Sequence, residues 1–189
     1  MKFFEKDIEN CLEVLRSGGL ILYPTDTVWG IGCDATNDKA VEKIYKLKKR
    51  SDEKAMIVLV AAEKDIMQHV AAPDLSLFDY LDKATKPTTV VYDGALGFAD
   101  NLVAKDGSIA IRICKDEFCR QLIKRFRKPI VSTSANISGM PAPKFFKEIK
   151  DEIRIGVDHI VQYKQQDEIS AQPSSLIKWN NGNVTILRP

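Results

Sequence analysis

Short apolar runs alternate with amphipathic stretches of helical period along most of this 189-residue chain. That alternation restricts the fold to helices packed on a sheet. Residues 5–17 carry Ile8, Cys11, Leu12 and Leu15 on one helical face and stop at Gly18-Gly19. Leu20 to Tyr23 is then a run of the length of a buried strand. The same reading predicts helices over 38–49, 62–71, 74–83, 115–126 and 143–151, with Asp38 capping the second. Strands are predicted at 55–60, 88–92, 108–113, 129–133, 159–163, 174–179 and 183–188. Asn180-Asn-Gly-Asn between the last two is a hairpin signal. Helices and strands alternate early and the end reads as antiparallel, so a mixed sheet in an α/β (α+β) fold is expected, as a single domain over 1–189.

Composition removes several functional classes. Apolar residues make up 44% of the chain, enough for a core. The net charge of +2 is too small for a general nucleic-acid adhesive, which needs a large basic excess. No run approaches the roughly 20 apolar residues of a membrane span. The N-terminus, Met-Lys-Phe-Phe-Glu-Lys-Asp, has no apolar signal core, so a cytoplasmic protein with no membrane partner is expected. Cys11, Cys33, Cys114 and Cys119 have no zinc spacing and read as free thiols. With only His69 and His159, a His-rich metal site or a Ser-His-Asp triad has few ways to form, and no metal-ligating residues are expected.

Three polar clusters lie at the ends of predicted elements. Pro24-Thr-Asp-Thr27 follows the first strand and precedes Gly30-x-Gly32; it reads as a turn or as a presenter of hydroxyls to a ligand. Lys46-Leu-Lys48-Lys49-Arg50, with Lys54 beyond, closes a helix. Cations there suit the macrodipole, but Lys48 and Arg50 also suit phosphate oxygens, Arg as a planar fork and Lys as a point charge. Ser132-Thr-Ser134-Ala-Asn136-Ile-Ser138-Gly139 follows a strand and reads as a capped loop or as a hydroxyl- and amide-lined anion or nucleotide site. Arg112 stands within an apolar strand, on the face of Ser108 and Ala110. It either points to solvent or pairs with an anion such as a substrate carboxylate. No P-loop is present, and the third glycine of a dinucleotide fingerprint is missing.

Taken together, Pro24-Thr-Asp-Thr-Val-Trp-Gly-Ile-Gly32, Lys48-Lys-Arg50, Ser134-Ala-Asn136 and the closing Ile186-Leu-Arg188-Pro189 resemble the YrdC/Sua5 family over roughly residues 8–189. The resemblance implies an open twisted mixed sheet flanked by helices around a large basic-lined cavity. It implies an L-threonylcarbamoyladenylate synthase, which makes threonylcarbamoyl-AMP and pyrophosphate from L-threonine, bicarbonate and ATP. This is the first step toward t6A at position 37 of tRNA, before a downstream t6A transferase complex. By position, Thr27, Arg112, Ser134 and Ser174 would contact L-threonine. Lys48, Arg50, Lys54, Ser108, Asn136, Lys144 and Arg188 would bind ATP, with Lys48 and Arg50 as the catalytic pair and Mg²⁺ shared among the phosphates. The family is also associated with double-stranded RNA and tRNA, and with paralogues acting on other carbamoyl or acyl substrates. The chain departs from the family pattern at Ser51, where many members have Pro, and at Leu59, where longer members have His. It departs again at Thr85-Lys-Pro87, where Trp-Pro-Gly-Pro is usual, and with the sequence ending at Pro189 the short form, without the extra C-terminal domain of longer synthases, is expected.

Overall fold

The computed structural model describes residues 4–50, 56–168, 172–180 and 182–189. In chain order they form α1 (Glu5–Arg16), β1 (Ile21–Tyr23), β2 (Gly30–Gly32), α2 (Asp38–Lys48), β3 (Ile57–Val60), α3 (Glu63–His69), α4 (Ser76–Lys83) and β4 (Thr88–Tyr92). There follow β5 (Ile109–Ile113), α5 (Glu117–Phe126), β6 (Ile130–Ser134), α6 (Asp151–Ile155), β7 (His159–Ile160), β8 (Ser175–Asn180) and β9 (Asn183–Arg188). The strands make one mixed sheet in the order β7-β1-β2-β6-β3-β5-β4-β8-β9. Its pairs β1–β7, β3–β5 and β4–β8 are parallel and the rest antiparallel. Among the described residues no helix is long and apolar enough to cross a membrane.

The helices follow their apolar spacing. Ile8, Cys11, Leu12 and Leu15 of α1 are buried, and α1 packs on α5 with the rings of Phe4 and Phe118 edge to face at 5.6 Å. The Asp116 side chain caps α5 by accepting from the Cys119 amide at 3.1 Å. Asn37, one residue earlier than expected, caps α2 by accepting from the amides of Lys39 and Ala40. The Asp38 carboxylate is taken instead by the Asp100 amide at 2.7 Å.

Two further elements differ from the expected ones. The helix expected over 143–151 is a single 3₁₀ turn, Phe146–Glu148, followed by the short α6. The Glu148 carboxylate folds back onto the amides of Lys144 and Phe145 and closes that turn early. The strand expected over 159–163 is only two residues long, because the amides of Gln162 and Tyr163 turn to the buried Asp7 carboxylate instead of a neighbouring strand.

β2 is absent from the sequence reading, since glycine weakens a strand in isolation. Here it sits between β1 and β6 and pairs with both. A Cβ on Gly32 would stand 2.6 Å from Cε1 of Tyr23 and 2.8 Å from the Val131 carbonyl oxygen, both in buried neighbours. The glycine therefore marks a close backbone approach that only a missing side chain allows. Gly32→Ala is expected to lower stability by about 1–3 kcal/mol through overpacking, measured by chemical denaturation; a loss within error would show that Tyr23 can swing aside.

Candidate active site

Sheet register gathers the dispersed polar clusters. β2 pairs with β6 so that Gly30 lies opposite Ser134, which sets the Thr25–Thr27 loop beside the Ser134–Asn136 loop. β3 pairs Leu59 with Arg112, and its Ile57 lies opposite both Ala110 and Ser132. β8 pairs Ser175 with Thr88, and the neighbouring hydroxyls of Ser174 and Thr89 meet at 2.8 Å.

These segments enclose a cavity of about 540 Å³. Thr27, Arg50, Ser108, Arg112, Ser134, Asn136, Ser174 and Arg188 all line it, so eight of the sequence-selected residues converge on one space. Met56, Ile57, Met140, Ala142, Pro173 and Leu176 supply an apolar part of the wall. Three arginines line this space, and no carboxylate residue is among its described lining. An anion entering it would meet positive charge in a partly desolvated setting, where such attraction is screened less than in water.

Arg112 is buried, at 3% exposure, so the solvent-facing alternative does not hold. Its Nη2 donates to Asp26 Oδ1 at 3.0 Å and to Thr27 Oγ1 at 3.2 Å. Thr27 Oγ1 is also 3.0 Å from the Thr25 hydroxyl, which donates to the Val28 carbonyl. Arg188 donates through Nε and Nη2 to the Ser174 carbonyl, at 3.2 and 2.9 Å. Burial holds the Arg50 guanidinium below its ordinary value.

Lys48 does not line the cavity. It is 1% exposed, and its ammonium donates to the carbonyls of Ser134 and Asn136, each at 2.5 Å. Its own carbonyl accepts from the Ser138 amide at 2.9 Å. Lys48 thus pins the Ser134–Ser138 loop to the end of α2 from behind. Asn136 is fixed in the same way: its side-chain amide donates to the carbonyls of Ile137 and Met140, and its Oδ1 has no partner among the described residues. Lys144 lies outside the main cavity, on a smaller pocket of about 210 Å³ that shares Thr27 and Val28 with it. Lys54 falls outside the described residues.

Residues passed over in the sequence also contribute. Ser132 and Thr133 line the cavity beside Ser134, and membership of the same hydroxyl run was the available signal. Trp29 packs on Phe146 with ring centroids 4.8 Å apart and the planes tilted by 51°, and so holds the 140–148 segment near the site. Asp26 had no assigned role, and nothing in its local sequence points to Arg112. The histidines stay apart: His69 packs against the Phe98 ring in a tilted contact, and His159 lies 3.6 Å from Asp7. All four cysteines are free and buried, and burial pushes the thiols of Cys11 and Cys33 well up. Among the described residues no group of three or more His, Cys, Asp or Glu could hold a metal.

Comparison with known proteins points the same way. A family model named Sua5_yciO_yrdC, described as "Telomere recombination", matches residues 13–189. A threonylcarbamoyl-AMP synthase of Photobacterium profundum is 33% identical over 150 residues, which cover 78% of this chain and 81% of that protein. One of Saccharophagus degradans is 34% identical over 146 residues, covering 76% and 75%. The crystal structure of P. abyssi Sua5 complexed with L-threonine superposes with a TM-score of 0.86 at 23% identity, over 98% of this chain. That match covers 54% of the P. abyssi chain, so the present chain spans about half its length.

The buried Lys48 gives a pH signature. Burial, with the Arg50 charge adding to it, pushes its ammonium down to about 8 from an ordinary 10.5. Between those values the unfolded chain binds a proton that the native chain has released, so stability rises with pH there. The stability of wild type relative to Lys48→Met should be level below about pH 8 and climb toward pH 10.5, by at most about 1.4 kcal/mol per pH unit. Denaturant titrations across that range measure it, and a difference that stays level contradicts the assignment.

Proposed function

This chain belongs to the Sua5/YciO/YrdC family, and we propose that it is an L-threonylcarbamoyladenylate synthase. The observation that carries the proposal is the convergence of Thr27, Arg112, Ser134 and Ser174 with Arg50, Ser108, Asn136 and Arg188 around one cationic cavity. Two ligands of opposite demands fit such a wall. A small amino acid needs a guanidinium for its carboxylate and hydroxyls for its amine and side chain. A triphosphate needs several cations and donors.

In the proposed reaction the amine of threonine attacks the carbon of bicarbonate, and water leaves to give an N-carboxylate. An oxygen of that carbamate attacks the α-phosphorus of ATP, the bond to the bridging oxygen breaks, and pyrophosphate departs. Such a transfer depends on alignment and charge neutralisation more than on a nucleophilic side chain, which suits a site without a triad. Arg112 would take the threonine carboxylate, with Thr27, Ser134 and Ser174 around the rest of the molecule. Arg50 and Arg188 would neutralise phosphate oxygens, with Ser108 and Asn136 donating or accepting beside them. Lys48 would act in two ways, keeping the Ser134–Asn136 loop in place and adding positive potential behind it. Mg²⁺ belongs with the nucleotide as part of the substrate. The cavity wall offers hydroxyls, an amide and guanidiniums, and the adjacent carboxylate of Asp26 is committed to Arg112. The product would feed the tRNA t6A modification.

The test supplies ATP, Mg²⁺, bicarbonate and L-threonine and follows pyrophosphate. Release that requires threonine supports the reading, and release indifferent to threonine contradicts it. In that assay Arg50→Ala is expected to lower kcat/KM for ATP by about 100-fold or more, as for loss of a charged donor to developing negative charge, while the thermal transition persists. Full activity of the variant would remove Arg50 from the phosphate site.

A further inference from the structure

The loop joining β1 to β2 reaches Arg112 of β5 and, just past that strand, Lys115, although β6 and β3 separate β2 from β5 in the sheet. Asp26 makes both contacts. One carboxylate oxygen accepts from Arg112 Nη2 at 3.0 Å, and the other accepts from the Lys115 amide at 3.3 Å. Thr27 of the same loop accepts from the same Nη2. The Asp26 and Arg112 side chains are 11% and 3% exposed. A guanidinium so buried needs a counter-charge, and so flexible a side chain has a defined aim only where fixed partners hold it. Arg112 Nε has no partner among the described residues. Nη2 is therefore spent on the protein, while Arg112 still lines the cavity.

We infer that Asp26 is a positioning residue: it holds the Arg112 guanidinium at the angle from which it takes the substrate carboxylate, and so sets the affinity for the amino acid and not for the nucleotide. The identity of that amino acid rests on the synthase reading. Asp26 is not among the residues lining the cavity, so it acts through Arg112. Its second oxygen, on the Lys115 amide, ties the carboxylate to the backbone two residues past β5, so Asp26 is held to the segment that carries Arg112. Asparagine at this position keeps the size and loses the charge; glutamate keeps the charge on a longer arm.

The test compares wild type, Asp26→Asn and Asp26→Glu in pyrophosphate release, with threonine varied at saturating ATP and then ATP varied at saturating threonine. Asp26→Asn should raise KM for threonine about tenfold or more and leave kcat and KM for ATP within about threefold, and Asp26→Glu should recover most of the loss. A merely structural lesion lowers the active fraction, and with it kcat, without moving KM for one substrate. A fall in kcat alone, an unchanged KM for threonine, or equal rises in both KM values would each overturn the inference. A second arm needs no activity: ¹⁵N spectra of the arginine guanidinium groups, with Arg112 assigned by its loss in Arg112→Lys. The held Nη2 should give a slowly exchanging signal in wild type that disappears in Asp26→Asn. Its persistence in the variant overturns the positioning role whatever the substrate. Pyrophosphate release indifferent to threonine, with the signal lost as expected, removes the synthase reading and leaves Asp26 as the residue that holds Arg112.

Discussion

The seam between β2 and β6 is the contact on which the rest of the molecule depends. It consists of two opposed pairs, Gly30 with Ser134 and Ile31 with Thr133. Through it the β7-β1-β2 side of the sheet joins the β6-β3-β5-β4-β8-β9 side. Nothing larger than glycine fits at its inner end, where Tyr23 and the Val131 carbonyl crowd position 32. Apolar burial alone would be satisfied by many arrangements of such strands, whereas a backbone approach this close fixes one register. The register matters for chemistry because a slip of one residue would turn the Ser134 side chain to the other face and part it from Thr27.

Given that seam, the electrostatics of the cavity follow from where charges are and are not balanced. Away from the cavity, ions are matched, as in Lys128 with Asp34 and Lys164 with Asp116. On the wall itself stand Arg50, Arg112 and Arg188, with no carboxylate residue in the described lining. A surface with nearly equal numbers of the two signs has thus been sorted so that one concave region carries one sign, which focuses potential on an entering anion. The small net charge of the chain concealed this, since sums over a sequence say nothing of how charges are distributed in space.

Much of the fold was legible because period and length identify elements. Residues 88–92 and 183–188 are strands with the bounds the sequence suggested, and α1 and α5 fall within a residue or two of their apolar stripes. What could not be read was everything set by a distant partner. β2 is a strand because β1 and β6 flank it, not because glycine favours one. The 159–163 strand stops at two residues because Asp7, more than 150 positions earlier, claims the next two amides. For the site, residue type and order were enough to select Thr27, Arg50, Arg112, Ser134, Asn136 and Arg188, all of which line the cavity. They were not enough to separate residues at the surface from those one step behind it.

That last distinction governs how the signature segments should be understood. Pro24-Thr-Asp-Thr27 and Lys48-Lys-Arg50 each contain a residue that reaches the cavity and one that supports it. Thr27 lines the wall while Asp26 clamps the guanidinium opposite; Arg50 lines the wall while Lys48 holds the carbonyls of the neighbouring loop. The pairing has a physical basis. A charged group aimed at a ligand is useful only if it does not reorganise when the ligand arrives, and rigidity in a loop needs hydrogen-bonding partners other than the ligand. The supporting residue is therefore ionic and held off the cavity, and the other stands on its wall. On this view the compactness of the signature segments records that function and support must share one short stretch of backbone.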